Sequence, residues 1–339
     1  MKKITALSSL VLLFGLLQLP AHAVQLVVPA YFAPSPANLP PATTPNGTAD
    51  WNTLITAQQA QRANNQVPIV AIVNPNTGAG DAGDRAYYQQ VYTDFANAGG
   101  TLIGYVPSGY VGQSINSSAS CQASTVAAVV GCAQAYQTLY PNIISGIFVD
   151  EFGIQANTTP FPDLNADEVT DLVTNFYTQI YDGIKGIDAN WTVFGNPGSN
   201  APPGFLRQGN SGGANTLITY EDVAANYSAN RPSDYVNSFP SSTFGNFVLQ
   251  APQSSLQSII NTAVSRNVGY IFVTDDGADG NPYDELPTYF ANELSIVNNI
   301  NQAGPIAQQV PEPDTWPMPI VGVGLILAIR YRKRFTAKG

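Results

Sequence analysis

Short apolar runs alternate along the chain with longer amphipathic or Ala/Gln-rich stretches, and this rhythm predicts strands followed by helices. The first run is Gln25 to Tyr31, with a helix beginning near Asp50-Trp51. Pro68 to Val73 precedes a helix around Arg85 to Ala98, and Thr101 to Val106 precedes one around Ser124 to Tyr140. Ile143 to Val149 leads to a helix from about Asp167 to Gly186. Trp191 to Phe194 and Thr216 to Tyr220 follow with no clear helical pattern behind them. Phe247 to Leu249 comes before a helix around Ser254 to Arg266, and Val268 to Thr274 before one from about Pro287 to Asn299. The strands are continuous apolar runs, the pattern of a parallel sheet buried on both faces. Eight such units point to an α/β fold, a single (β/α)8 TIM-type barrel, for which about 250 residues is typical. A doubly wound open sheet is the competitor. Neither G-x-G-x-x-G after the first strand nor G-x-x-x-x-G-K-[ST] occurs, so nothing supports nucleotide binding.

Polar and aromatic residues gather where these strands end. Tyr31 ends the first and Asn74 opens the loop after the second. Tyr105 and then Tyr110 flank the end of the third, and Asp150-Glu151 end the fourth. Asn196 follows the fifth, Tyr220-Glu221 close the sixth, and Asp275-Asp276 close the eighth. In a parallel barrel these ends share one face, where active sites of the fold sit. Acidic and aromatic groups around one rim point to carbohydrate: tyrosine faces stack on sugar rings, and glycosidic cleavage needs two carboxyl groups flanking one bond. Asp150 or Glu151, paired with Glu221, supplies that couple. Neighbours on a strand point to opposite faces, so only one of Asp150 and Glu151 is expected to enter the pocket directly.

Composition narrows the chemistry. The only histidine of the 339 residues, His22, lies in an N-terminal leader: Lys2-Lys3, an apolar Leu10 to Leu19 and Ala21-His22-Ala23 read as a signal peptide over residues 1–23. The mature chain then has no histidine, which excludes Ser-His-Asp triads, Cys-His pairs and histidine zinc sites. Setting aside the leader's two lysines and the five basic and two acidic residues after position 305 leaves six basic against 21 acidic residues, a net charge of about −15. Nucleic acid is excluded as a partner, since phosphate binding needs Lys and Arg. A neutral or cationic ligand is compatible with this field. Cys121 and Cys132, close in sequence, suit a local disulfide in an oxidising compartment.

Three blocks carry a family resemblance. Ile72-Val73-Asn74-Pro75-Asn76-Thr77-Gly78-Ala79-Gly80, Gly104-Tyr105-Val106-Pro107-Ser108-Gly109-Tyr110 and Gly146-Ile147-Phe148-Val149-Asp150-Glu151 resemble blocks of the spherulin-4-like family, spherulation-specific family 4, in its order. Gly78-Ala79-Gly80 departs from the usual Gly-Pro-Gly, and Ser108 stands where threonine is commoner. The resemblance implies a (β/α)8 barrel over residues 24–305 and an endo-acting glycoside hydrolase on α-1,4-linked galactosamine or N-acetylgalactosamine polymers. It implies Asp150 as nucleophile and Glu221 as acid/base, the two being exchangeable. Glu151 would support orientation or meet a sugar nitrogen. Separately, Val310-Pro311-Glu312-Pro313, the apolar Pro319 to Ile329 and Arg330, Arg332, Lys333 and Arg334 resemble the PEP-CTERM sorting signal of Gram-negative bacteria, here over residues 306–339. That resemblance implies export, a transient membrane anchor and processing by signal peptidase and exosortase.

The remaining rim residues have two readings each. Asn74 bonds loop backbone or a substrate hydroxyl; Tyr105 belongs to core or rim; Tyr110 and Tyr220 belong to the rim. Asp275 and Asp276 cap a loop, bind a sugar, or hold a calcium ion with Asp279. The reading needs no cofactor and no metal, and takes the protein as a monomer acting on a polysaccharide. A non-catalytic glycan-binding or matrix protein on the same barrel, and a glycosidase on a neutral glycan, are the alternatives.

Overall fold

The computed structural model describes residues 23–35, 46–112, 121, 125–153, 171–277 and 280–303. Residues 1–22 of the leader, the PEP-CTERM-like segment and Asp279 lie outside the described residues. Eight parallel strands close into a barrel in chain order. They are β1 (Gln25–Ala30), β2 (Val70–Val73), β3 (Thr101–Pro107), β4 (Ile144–Asp150), β5 (Thr192–Gly195), β6 (Thr216–Val223), β7 (Phe244–Leu249) and β8 (Tyr270–Val273). The outer layer comprises α1 (Gly47–Ala63), α2 (Ala82–Asn97), the short turn α3 (Gly109–Gly112), α4 (Val126–Leu139), α5 (Asp171–Ile187), α6 (Ala224–Tyr227), α7 (Leu256–Ser265) and α8 (Phe290–Ala303). This is the TIM-type (β/α)8 fold expected from the pattern. Behind β5 and β6, where the sequence has no helical period, the layer is thin: 3-10 turns and the four residues of α6 fill it.

Local chemistry explains the elements. Every residue of β2 and β7 is buried, which continuous apolar strands require when helices cover the sheet outside and side chains fill it inside. Asp81 caps α2 by accepting from the backbone N–H of Gly83 and Asp84, while Asp84 accepts from Asp81 N–H, a reciprocal capping box. Trp51 anchors α1, fully buried, with its indole N–H donating to the carbonyl of Phe32 at 2.9 Å. Gly104 in β3 has a packing reason: a Cβ there would stand 2.6 Å from the Tyr136 ring, whose hydroxyl bonds the Val73 carbonyl at 2.8 Å. Cys121 and Cys132 form a disulfide, Cα atoms 5.8 Å apart, that pins the segment entering α4 to that helix.

The barrel closes narrowly. β1 and β8 pair only through Gln25 with Tyr270 and Leu26 with Ile271. Farther along, the amide of Val273 finds no strand partner and donates instead to Oε1 of Glu293 on α8, at 2.8 Å. Glu293 is wholly buried, and its Oε2 has no hydrogen-bond partner. Burial pushes this carboxyl well above the usual carboxylate range, with the Val273 amide opposing. The folded state therefore holds a proton that the unfolded chain releases near its ordinary value. Stability falls as pH rises through that window, at about 1.4 kcal/mol per pH unit of retained proton. Glu293→Gln keeps the acceptor for Val273 and removes this cost. The variant is expected to match the parent in chemical denaturation near pH 4.5 and to gain on it steadily as the pH is raised to about 7.5. Equal stabilities at both pH values would refute a buried acid at this seam.

Candidate active site

At the C-terminal ends of the strands, six side chains from six different segments form one arc. Tyr105 (β3) donates its hydroxyl to Oδ2 of Asp150 (β4) at 2.8 Å. Asn196, just after β5, donates from its single Nδ2 to Oδ1 of Asp150 at 2.8 Å and to Oε2 of Glu221 (β6) at 2.6 Å. Tyr283, in the segment between β8 and α8, bonds Oε1 of Glu221 through its hydroxyl. Tyr31, after β1, closes the arc: its ring lies edge-on to Tyr105 at 5.7 Å and to Tyr283 at 5.5 Å. Each of the four carboxylate oxygens thus has a neutral hydrogen-bond partner. Because one nitrogen bridges them, Oδ1 of Asp150 and Oε2 of Glu221 are no farther apart than the sum of its two bonds, 5.4 Å.

The backbone holds this geometry stiffly. Asn196 begins an Asn-Pro-Gly turn in which its Oδ1 accepts from the Gly198 amide at 3.0 Å, which fixes the side-chain amide with its NH2 toward the carboxylates. Gly198 has φ +64°, and its carbonyl accepts from the Glu221 amide at 2.9 Å, so one turn orients both Asn196 and Glu221. On the other side, Ser108 is fully buried, and its Oγ lies 2.8 Å from the carbonyls of both Asp150 and Glu151. Glu151 adopts φ +53°, turning the chain sharply after β4, and its carboxylate accepts from the Gly109 amide at 3.0 Å. Of the adjacent acids, Asp150 enters the barrel from the last position of β4, while Glu151, already past the strand and turned by its positive φ, secures the next loop. Tyr110 sits in that loop with φ +49°, followed by Val111 at φ +64°, a conformation costly for a β-branched residue and tolerated where surroundings over-determine it.

Among the described residues no cation reaches the pair. The six basic residues of the described chain bond elsewhere, Arg207 with Asp182 at 2.9 Å and Arg62, Arg85, Lys185, Arg231 and Arg266 with uncharged groups. An aromatic floor lies beneath, with Phe148 stacked between Tyr105 and Phe247. Burial raises both acids above the usual range. For Asp150 the opposing hydrogen bonds come from Tyr105, the Glu151 backbone and Asn196. For Glu221 the Asp150 charge adds to burial, and only Tyr283 and Asn196 oppose it. Two carboxyl groups this close share one proton, and the additional backbone donor at Asp150 favours keeping the charge there and the proton on Glu221.

Other residues read from the sequence take different positions. Tyr220 does not face the cleft. A bulge shifts the β6–β7 register between Ile218 and Tyr220. It sets Thr219 and Tyr220 both on the outer side: Thr219 bonds Asn246, which bonds Tyr227, and the Tyr220 ring packs edge-on against Tyr227 at 4.8 Å. Glu221 then returns inward. Asn74 holds its own loop, its Oδ1 accepting from the Gly78 amide at 2.9 Å. Asp275 is exposed and caps the start of the α8 segment by accepting from the Thr288 amide and hydroxyl. Asp276 accepts from the Gly277 amide at 2.8 Å and contributes with burial to raising the neighbouring Asp284 and Glu285. Neither Asp275 nor Asp276 touches the carboxylate pair. Among the described residues no group of three or more His, Cys, Asp or Glu is placed to hold a metal ion. Tyr283 was not anticipated: it lies ten residues beyond β8, and its only signal is an aromatic residue in the polar Asn281-Pro282-Tyr283-Asp284-Glu285 loop.

Comparison with known proteins agrees with this architecture. Spherulin-4 of Physarum polycephalum is 26% identical over 290 residues, covering 83% of this chain and 72% of that protein. The crystal structure of Aspergillus clavatus Sph3 in complex with GalNAc shares the fold at a TM-score of 0.57 and 17% identity, covering 82% of this chain and 98% of that one. The sequence profile of spherulation-specific family 4 matches residues 25–297, from the first strand into the last helix. The chain therefore belongs to spherulation-specific family 4.

Proposed function

We propose that the protein is a glycoside hydrolase that cleaves an α-1,4-linked polysaccharide containing galactosamine or N-acetylgalactosamine, with retention of anomeric configuration. The observation that carries this reading is the Asn196 bridge, which keeps two carboxyl groups within 5.4 Å of each other at the mouth of the barrel. Retaining enzymes place their carboxyl groups about 5–5.5 Å apart, whereas inverting enzymes leave about 6.5–9.5 Å for a water molecule. Asp150, with three hydrogen bonds favouring its charge, attacks the anomeric carbon as the bond to the leaving oxygen breaks. Glu221 gives its proton to that oxygen. Water then attacks the glycosyl–Asp150 ester, Glu221 takes the water proton, and Asp150 leaves as carboxylate. Tyr31, Tyr105 and Tyr110 line the approach, and Glu151 orients the loop that carries Tyr110.

The amino-sugar class is supported by family membership and by the GalNAc present in the Sph3 structure. An acidic rim with no cation at its centre among the described residues also suits partly de-N-acetylated, cationic chains. In this reading the protein works outside the cell on surface or matrix polysaccharide, after its terminal segments are processed by signal peptidase and exosortase.

The test is incubation of the purified protein with galactosaminogalactan, following oligosaccharide release and the first-formed anomer by proton NMR. Release of α-anomers ahead of mutarotation supports retention, and β-anomers reject it. Binding without release would identify a glycan-binding protein instead. Affinity for the de-N-acetylated polymer should fall several-fold from about 20 mM to about 0.5 M salt, where charge screening shortens below 10 Å. Salt-insensitive binding would remove the electrostatic argument.

A further inference from the structure

Glu221 needs two things if it is the acid that the proposed function requires: a proton on a defined oxygen, and an aim that survives loss of that proton. Which oxygen holds the proton follows from the donors around it. Asn196 can only donate through Nδ2, because its Oδ1 is committed to the Gly198 amide. Oε2 of Glu221 is thus an acceptor, and the proton belongs on Oε1. The partner of Oε1 is the Tyr283 hydroxyl, a group that donates and accepts. It accepts from the protonated acid and donates to the carboxylate.

Tyr283 is unusually well fixed for a residue outside the strands. Its carbonyl accepts from the Tyr31 amide at 3.1 Å, which welds the loop to the end of β1 where β1 and β8 have ceased to pair. Its amide donates to Oδ1 of Asn281 at 3.2 Å. Its ring is buried against Tyr31, Phe247 and Phe272, with centroids 5.5, 6.1 and 6.1 Å away. Its own hydroxyl is held well above its ordinary value by burial and by the Glu221 charge, so it stays a phenol.

We propose that Tyr283 is a positioning residue for Glu221, fixing Oε1 toward the reacting bond and sharing the proton that Glu221 passes to the leaving oxygen. The groups facing Glu221 are Asp150 from β4, Asn196 and the Gly198 backbone after β5, Tyr105 from β3, Tyr31 after β1 and Tyr110 from the α3 turn. Of these, Asp150 favours the protonated acid through its charge, and Asn196 steadies the carboxylate from the other oxygen. Among the described residues Tyr283 alone meets Oε1, so its removal has a sign: the carboxylate loses a donor and Glu221 binds its proton more tightly.

The experiment follows Glu221 by carbon-13 NMR of δ-labelled glutamate in the full chain, alongside the pH profile of polymer turnover. Tyr283→Phe should raise the Glu221 midpoint by about one pH unit, a ~10-fold gain in proton affinity. The alkaline limb of turnover should move up with it, while kcat falls more than KM rises. Incorporating 3-fluorotyrosine at position 283, a more acidic phenol of nearly the same shape, should move the midpoint the other way. It also provides the test if the phenylalanine variant folds poorly. A Glu221 midpoint unmoved by either change, in protein with native circular dichroism, would overturn the inference. Midpoints that shift as expected in a protein that cleaves no polymer would support Tyr283's hold on Glu221 and reject the glycosidase reading instead.

Discussion

Asp150→Asn is expected to lower polymer cleavage by about 10⁴-fold or more while leaving the barrel folded and able to bind its glycan. The size follows from the role: without a nucleophile the covalent route is closed, and what remains is orientation and acid assistance alone. The fold should tolerate the change because the amide can be satisfied in place. Its oxygen accepts from Asn196, and its NH2 donates to Tyr105, whose hydroxyl reverses from donor to acceptor. A second consequence distinguishes loss of chemistry from loss of structure. Asp150's charge helps to raise Glu221, so Glu221 in the variant should titrate lower than in the parent. Asp150→Ala opens space, and with azide and a substrate carrying a good leaving group it should yield a β-glycosyl azide. Azide enters from the face Asp150 occupied, opposite the α-linked leaving group. Parental rates in Asp150→Asn, or an α-azide from Asp150→Ala, would remove Asp150 from the nucleophile position.

The barrel was largely legible because its strands are buried on both faces, and this prints as unbroken apolar runs such as Val70-Ala71-Ile72-Val73. The strand-end positions of Asp150, Asn196 and Glu221 followed from that, since a closed parallel barrel sends all strand ends to one face. What stayed hidden depends on backbone conformation rather than residue type. The bulge in β6 turns Tyr220 away from the cleft, and strict alternation gives no warning of an extra residue. Asp275 and Asp276 read as rim acids, yet short carboxylates beside turn amides satisfy those amides first, as Thr288 and Gly277 show. Tyr283 is hidden because its place is set by a contact with the neighbouring first strand, the Tyr31 amide about 250 positions earlier in the chain, that no local pattern encodes. The dual use of Asn196 is likewise three-dimensional: one NH2 group meets acids that stand 71 positions apart in sequence.

Glu221→Gln should separate the two halves of the reaction by leaving-group ability. On polymer, where a poor sugar leaving group needs a proton, turnover is expected to fall about 10³-fold, within the range of positioned acid–base catalysis. On an aryl or fluoride α-galactosaminide the departing group needs little help, so attack by Asp150 should survive. Hydrolysis of the resulting ester still needs Glu221 as base to take the water proton, and it should become the slow step. The variant is therefore expected to show a burst of released phenol or fluoride, and mass spectrometry should find one glycosyl unit on the peptide containing Asp150. The side chain itself fits: the glutamine oxygen can accept from Asn196, and its NH2 can donate to Tyr283. The pH profile gives an independent sign. In the parent, activity requires Glu221 protonated, and burial beside Asp150 raises that group, so the rate falls as pH climbs through its elevated value. Glutamine does not titrate, so the burst on activated substrate should lose its alkaline limb and keep only the acid limb on which Asp150 ionises. A burst that still declines on the alkaline side, or a label on a residue other than Asp150, would show that the proton in play belongs to a different group.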